Sequence, residues 1–225
     1  MSFAHLYGTV SMGQGSAVGE NCTLGYPKEA RIRGFWENPA TAKAGEPVGI
    51  GSRCMLFNQV IVYEGVSIAD DCLIEDRVRL GYDSRVGPGS RLVYGAYICD
   101  RVSIGAEARI AGFICDATRI GDRCTVMGDL VHEYTRPHVD WWEADEESPR
   151  VENDSVVGYG ARVVGGLRIG PRSYVAAGAV VTRDVPPEHI AIGVNTFTPI
   201  RDWTGTRLRI LIEHWTSPRP PTELR

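Results

Sequence analysis

The chain has 225 residues, 43 % of them hydrophobic, which is enough for one continuous core and excludes disorder as the dominant state. Its 24 basic and 28 acidic residues leave a net charge of −4, so it carries no electrostatic footprint for nucleic acid or an anionic membrane. No stretch reaches the roughly 18 apolar residues of a membrane span, the start lacks the basic and apolar regions of a signal peptide, and six cysteines without a CxxC pair read as free thiols; the expectation is a soluble, cytoplasmic protein.

The predicted elements follow a six-residue step. Met12, Val18 and Leu24 open a ladder of apolar residues that breaks from about Tyr26 to Val48, a stretch carrying Pro27, Pro39 and Pro47. From Ile50 the step runs through Leu56, Val62, Ile68, Ile74, Leu80, Val86, Leu92, Ile98 and Ile104 to Ile110, every position Ile, Leu or Val. Two residues are missing before Ile114; the step then continues at Ile120 and Val126 and breaks again in a loop from about Met127 to Arg150. Val151, Val157, Val163, Ile169, Val175 and Val181 complete it, and Pro186-Pro187 ends it. In the segment from Asp202 to Trp215, Leu208, Leu211, Ile212 and Trp215 fall at i, i+3, i+4 and i+7, which predicts an amphipathic helix. The tail from Ser217 is expected to fray.

Four residues after most ladder positions stands a small or β-branched side chain, as at Cys54, Val60, Val66, Cys72, Val78, Ser84, Ser90, Ala96, Val102 and Ala108. A six-residue unit with two inward positions does not fit the 3.6-residue period of a helix; it reads as a short strand followed by a corner. Three such units close a triangle of 18 residues, and stacked triangles pair their strands in parallel. The expected fold class is all-β, a left-handed parallel β-helix of hexapeptide repeats over residues 1–200, interrupted at about 26–48 and 127–150, with a C-terminal helix and tail over 201–225. Gly51, Gly81, Gly87, Gly105, Gly121, Gly158 and Gly170 suit close backbone approach and unusual dihedrals. Breaks in such a solenoid are where function concentrates.

The run from Val151 to Pro187, closing in AAGAVVTRDVPP, resembles the C-terminal coils of the hexapeptide-repeat acyltransferases, a superfamily that includes sugar and xenobiotic O-acetyltransferases and nucleotide-sugar N-acyltransferases. The resemblance implies a homotrimer with acetyl-CoA or another acyl-CoA as co-substrate, lying in the groove between neighbouring prisms, and a small-molecule acceptor that differs between branches. Val131 to His138, VHEYTRPH, is similar to the VHIYTATH stretch of maltose acetyltransferases, whose last histidine is the general base. The resemblance therefore assigns His138 as base; His138 lies 18 residues after Ile120, within a residue or so of the offset in those relatives, and His132 matches an earlier, non-catalytic histidine. It also places an oxyanion-binding backbone N–H at Tyr159 and, over the adenine, a Gly193-Val194 turn in which Asn195 replaces the relatives' proline. The stretch from Phe57 to Gly65 is similar to a coil of the nucleotide-sugar N-acetyltransferases, which points to an amino sugar or nucleotide sugar.

The residue types agree with that chemistry. Neutral imidazole is abundant at pH 7, and positioned proton transfer is worth about 10²–10⁴-fold. Ala177 and Gly178 let a pantetheine arm approach the main chain, while Thr182 and Arg183 suit a phosphate. Other readings remain open. Arg31, Arg33 and Trp36 either grip the acceptor or tie the first excursion to its scaffold, and Trp141-Trp142 either caps the acceptor or anchors the loop. Cys22, Cys54, Cys72 and Cys124 stand at the inward small position and are expected to pack. No metal site is expected: a γ-carbonic anhydrase-like metalloenzyme, the alternative, needs three converging histidines, and His5, His189 and His214 lie near the chain's ends. A non-catalytic solenoid is the third reading.

Overall fold

The computed structural model describes residues 4–37, 45–136 and 146–217. Its strands form three sheets in which, up to a final antiparallel hairpin, each strand pairs in parallel with the strand one coil away. We label the sheets A (His5–Leu6 to Val180–Val181), B (Val10–Met12 to Arg168–Ile169) and C (Ala17–Val18 to Thr196–Pro199). The fold is the left-handed parallel β-helix. Its register is the six-residue step read three at a time: Leu80 pairs with Ile98, Val86 with Ile104 and Leu92 with Ile110, each 18 residues on. The two missing residues shorten the next coil to 16, so that Ile98 pairs with Ile114, Ile104 with Ile120 and Ile110 with Val126.

The stepped aliphatics fill the prism. Leu80, Leu92, Ile98, Ile110 and Ile114 are fully buried, as are the small partners Cys54, Val60, Val66, Val78 and Ala96. Burying such a side chain contributes about 1.5–3 kcal/mol, repeated three times in every coil. All six cysteines are free, and burial pushes the thiols of Cys72 and Cys124 up to about 11, as expected of packing residues.

The seven glycines that follow or adjoin the ladder, from Gly51 to Gly170, work by close approach. A Cβ on Gly51 would stand 2.6 Å from the Asp70 nitrogen, and one on Gly105 would stand 2.6 Å from the Gly121 carbonyl carbon. Neither glycine adopts a positive φ. The left-handed position falls at the corner two residues later; larger residues such as Arg53 (56°) fill it in some coils and other glycines, Gly89 (67°) and Gly160 (66°), in others, which corrects the expectation that the seven ladder glycines take it. Hydrogen bonds between coils hold those corners, as from Asp71 N to Ser52 O at 2.9 Å.

Both excursions leave the prism at the corner between sheets A and B. The first follows the strand Thr23–Tyr26, contains the helix α1 (Glu29–Glu37), and returns in the strand Val48–Ile50. The second is shorter than the spacing suggested: Asp129–Val131 is a sheet A strand, with Leu130 paired to Ile114 and Val163, so the chain departs only after Val131 and returns at Arg150. The repeat also outlasts Pro186-Pro187, because His189–Ile192 joins sheet C and pairs antiparallel with Thr196–Pro199. Phe197 of this hairpin packs against the core. The C-terminal helix is shorter than expected: a 3₁₀ turn at Ile200–Asp202 precedes α2 (Arg209–Thr216), whose stripe residues Leu208, Leu211, Ile212 and Trp215 are half-buried. No helix of the described residues is long and apolar enough to cross a membrane.

Candidate active site

Tyr159, Gly178 and Gly193, assigned to the acyl carrier, stand at the corner between sheets C and A, Thr182 and Arg183 follow the last sheet A strand, Val180–Val181, and Ala177 adjoins Gly178. Gly178 N donates to Tyr159 O at 3.0 Å, and Val180 N donates to Gly193 O at 2.8 Å. Gly178 and Gly193 have φ of 71° and 57°, and the space where a side chain would stand is open at both, so the strip presents bare main chain. Tyr159 is 82 % exposed, and its N–H has no acceptor among the described residues. Asn195, which replaces the relatives' proline, closes the strip: it accepts from Thr182 N at 2.9 Å, donates to Thr182 Oγ1 at 2.8 Å, and its carbonyl accepts from Arg183 Nη2 at 2.7 Å. Arg183 also lies over the Phe197 ring at 5.1 Å, which fixes the guanidinium beside Thr182. This main-chain edge with a hydroxyl and a guanidinium at one end fits a pantetheine arm and its phosphates.

His138, Trp141 and Trp142 lie outside the described residues. The feet of their loop are described. Gly165 N donates to Val131 O at 2.9 Å, and Tyr134 N donates to Glu146 Oε2 at 2.9 Å, joining the two feet. A Cβ on Gly166 would stand 2.1 Å from that of Glu147, so the Gly165-Gly166 pair is the sequence signal for where the loop lands. His132 is half-buried, edge-on to Tyr134 at 6.0 Å, with Nδ1 buried and without a partner among the described residues. The loop leaves from the A–B corner, whereas Tyr159 sits on the C–A corner. The foot of the loop at Val131 and Tyr159 thus stand at opposite ends of one prism face, on the order of 15 Å across. Among the described residues no three His, Cys, Asp or Glu groups are placed to hold a metal ion.

Between the feet of the two excursions, along the same A–B corner, runs a groove of about 430 Å³ that the sequence reading missed. Glu64, fully buried, ties the first excursion down: it accepts from Lys28 N at 3.1 Å, Arg31 Nε at 2.8 Å and Glu46 N at 3.1 Å. Arg31 is therefore an anchor, whereas Arg33 lines the groove and Trp36 is 75 % exposed. The groove floor holds Arg79 between the rings of Tyr63 (4.4 Å) and Tyr97 (4.7 Å), with Nη1 donating to Ile98 O at 3.0 Å. The signal was the residue just before each inward aliphatic, aromatic or Arg at Arg79, Tyr97 and Phe113. At the far end Ser148 Oγ donates to Asp116 O at 2.6 Å, joining the second excursion to the groove.

Asp100, 5 % exposed, accepts from Tyr82 N at 3.1 Å, and burial followed by the charge of Asp116 pushes its carboxyl up to about 6. A carboxyl raised above its ordinary value holds its proton more tightly folded than unfolded. Its contribution to stability is complete below about pH 4 and is lost as the pH rises through 6. Asp100→Asn keeps the oxygen that Tyr82 N needs and removes the ionisation. In urea unfolding the variant should gain on the parent between pH 4 and pH 7.5, by an amount on the order of 3 kcal/mol at most. A gap that shrinks over that range would contradict the assignment.

Comparison with known proteins agrees with the repeat. Residues 150–183 match the family model described as the hexapeptide repeat of succinyl-transferase. Among curated proteins the chain is similar to the bifunctional protein GlmU of Burkholderia vietnamiensis, 23 % identical over 202 residues, or 80 % of this chain and 43 % of that protein. It is also similar to the bifunctional protein GlmU of Geobacillus thermodenitrificans, 30 % identical over 125 residues, or 53 % of this chain and 22 % of that protein. The chain spans less than half the length of these relatives. Among solved structures it is similar to the Francisella novicida UDP-N-acetylglucosamine acyltransferase, at 12 % identity over 96 % of this chain and 78 % of that one, with a TM-score of 0.39. A variant of GDP-perosamine N-acetyl transferase from Caulobacter crescentus, in complex with CoA and GDP-perosamine, is similar at 20 % identity over 80 % of this chain and 54 % of that one, with a TM-score of 0.29.

Proposed function

We propose that this hexapeptide-repeat β-helix is a CoA-dependent acyltransferase, moving an acyl group, acetyl in the first instance, from acyl-CoA to an amine or hydroxyl of a small acceptor such as an amino sugar or nucleotide sugar. The observation that carries the reading is the C-terminal strip, where bare main chain at Gly178 and Gly193, the N–H of Tyr159 with no acceptor among the described residues, and the fixed pair Thr182 and Arg183 adjoin. In this reading acyl-CoA supplies the activated acyl group. Tyr159 N–H meets the negative charge that develops on the acyl oxygen, which a preorganised donor stabilises without reorganisation. His138 takes the acceptor's proton as the carbon–sulfur bond gives way to a carbon–nitrogen or carbon–oxygen bond, and the proton passes to the leaving thiolate.

A second copy is part of the proposal. One prism face lies between Tyr159 and the feet of the loop that carries His138, which supports a homotrimer in which the loop of one protomer meets the strip of the next.

The test is acetyl transfer from acetyl-CoA to a panel of amino sugars, nucleotide sugars and amino acids, with CoA binding followed separately by calorimetry. Arg183→Ala should weaken CoA binding about tenfold at low ionic strength and flatten its salt dependence, leaving the unfolding temperature unchanged. Equal affinity in the variant would remove Arg183 from the site, and no CoA binding by the parent would overturn the reading.

A further inference from the structure

We infer that the outward face of sheet B docks a thin acidic segment of a partner protein, an extended peptide with carboxylates at alternate positions. The inference goes beyond the acyltransferase reading and does not depend on it.

The residue before each inward aliphatic faces outward, and on sheet B these residues form one row along the prism. Register places Arg85 beside Ser103, Ser103 beside Arg119, Arg119 beside Arg150 and Arg150 beside Arg168. All five are exposed. Neighbouring strands stand about 4.8 Å apart, so Arg119, Arg150 and Arg168 follow one another at that step. Like charges on adjacent strands destabilise a sheet unless a carboxylate intervenes. Arg168 has one, since its Nε donates to Glu152 Oε1 at 2.9 Å. Arg85, Arg119 and Arg150 have no ion pair among the described residues, whereas Arg79 and Arg91, in the same slot of sheets A and C, face Asp100 and Glu75. A row of forked donors is left without an anion.

The shape of the face selects the ligand. The residue after the inward aliphatic is Gly87, Gly105 and Gly121 in successive coils; a Cβ on Gly87 would stand 2.5 Å from the Gly105 carbonyl carbon, and one on Gly121 would stand 2.8 Å from the Asn153 nitrogen. Close stacking thus keeps the floor beside the arginines bare, and the guanidinium groups are what protrudes. The corners on either side carry carboxylates, Asp83 and Asp116 toward sheet A, Glu107 and Asp122 toward sheet C. A nucleic-acid duplex or a lipid surface is wider than the row and would meet them. A single nucleic-acid strand needs aromatic rings under its bases, and neither outward row of sheet B has one. A thin chain of carboxylates meets neither obstacle, and the two oxygens of each match the guanidinium fork. Arg85 to Arg150 spans three strand steps, about 14 Å, and an extended peptide with acidic residues at i, i+2 and i+4 covers about the same length. Such a peptide can also turn an uncharged residue toward Glu152, which a polyphosphate cannot. With no large apolar side chain on the face, the contact is electrostatic, fast to form and sensitive to salt.

The experiment follows the fluorescence anisotropy of a labelled twelve-residue peptide of alternating Glu and Thr with the full chain at about 50 mM salt, with inorganic polyphosphate and a DNA duplex as competitors and sedimentation for the oligomeric state. The peptide should bind, and raising the salt about fourfold should weaken it about tenfold. Arg119→Ser and Arg150→Ser should each weaken it several-fold, and with Arg85→Ser added the loss should reach tenfold or more. Arg109→Ser, which removes an exposed arginine of sheet C that also lacks an ion pair among the described residues, should change nothing. Unfolding temperatures should not fall, since each exchange relieves repulsion along the row, and acetyl transfer to a small acceptor should be untouched. No binding by the parent, an equal loss in Arg109→Ser, or a polyphosphate or duplex bound tenfold tighter than the peptide would overturn the inference. So would self-association of the parent that the triple variant abolishes, which assigns the row to a second copy. None of these outcomes touches the acyltransferase reading, which stands or falls on CoA binding and transfer.

Discussion

His138→Ala is expected to lower kcat for acyl transfer by about 10²–10⁴ while leaving CoA affinity nearly intact, because the base acts on the acceptor and not on the carrier. His132→Ala should cost less than about tenfold. The described residues give the reason for the contrast: His132 is half-buried against Tyr134 at the root of the loop, with Nδ1 enclosed, where it orders the loop's departure from Val131. Steady-state transfer by the two single variants, with calorimetric CoA binding beside it, decides the matter. If His132→Ala is the inactive one, the 18-residue offset has selected the wrong histidine. If both remain active, transfer rests on positioning an amine that is already unprotonated, and the pH profile should follow the acceptor's own titration.

Glu64→Ala should destabilise the protein by about 3–5 kcal/mol, the range for removing one partner of a buried charge pair. Glu64 is fully buried, yet it holds three donors from two segments, Lys28 N and Arg31 Nε on the way out of the prism and Glu46 N on the way back. Its loss takes one acceptor from a partly buried guanidinium and the acceptor of two backbone N–H groups. The damage should be local as well as global, since these bonds seat α1 on the prism. Limited proteolysis should cut between residues 28 and 46 in the variant before any cut in the coils. Glu64→Gln, which keeps one of the two oxygen acceptors and loses the charge, should recover part of the loss. A variant as stable as the parent, with the same cleavage pattern, would show that the first excursion is held by something other than this carboxylate.

The repeat itself was legible from the sequence because it is a nearest-neighbour property. Each hexad states which side chain points inward, at Leu80, Val86 and Leu92 as at Ile98, Ile104 and Ile110, and stacking needs nothing further than parallel pairing at a fixed offset. The missing pair before Ile114 was legible for the same reason, as a shift in step that the pairing reproduces. The C-terminal strip was legible only through resemblance, and its closure by Asn195 was not, since a hydrogen bond to Thr182 across the hairpin follows from where the chain turns back.

By itself, then, the sequence determined the β-helix, its coil length and the identity of the inward residues, because burial alternates with a period that any window of the chain reveals. The tertiary structure alone decided that both excursions leave from one corner, that Glu64 fastens the first of them, and that Arg79, Asp100 and Asp116 meet in a groove between their feet. Those residues lie one coil apart, 16 to 21 positions along the chain, on the outward and corner positions where the hexapeptide pattern places no constraint. What they do depends on which neighbours the stacking sets beside them, and that is a property of the coil and not of the hexad.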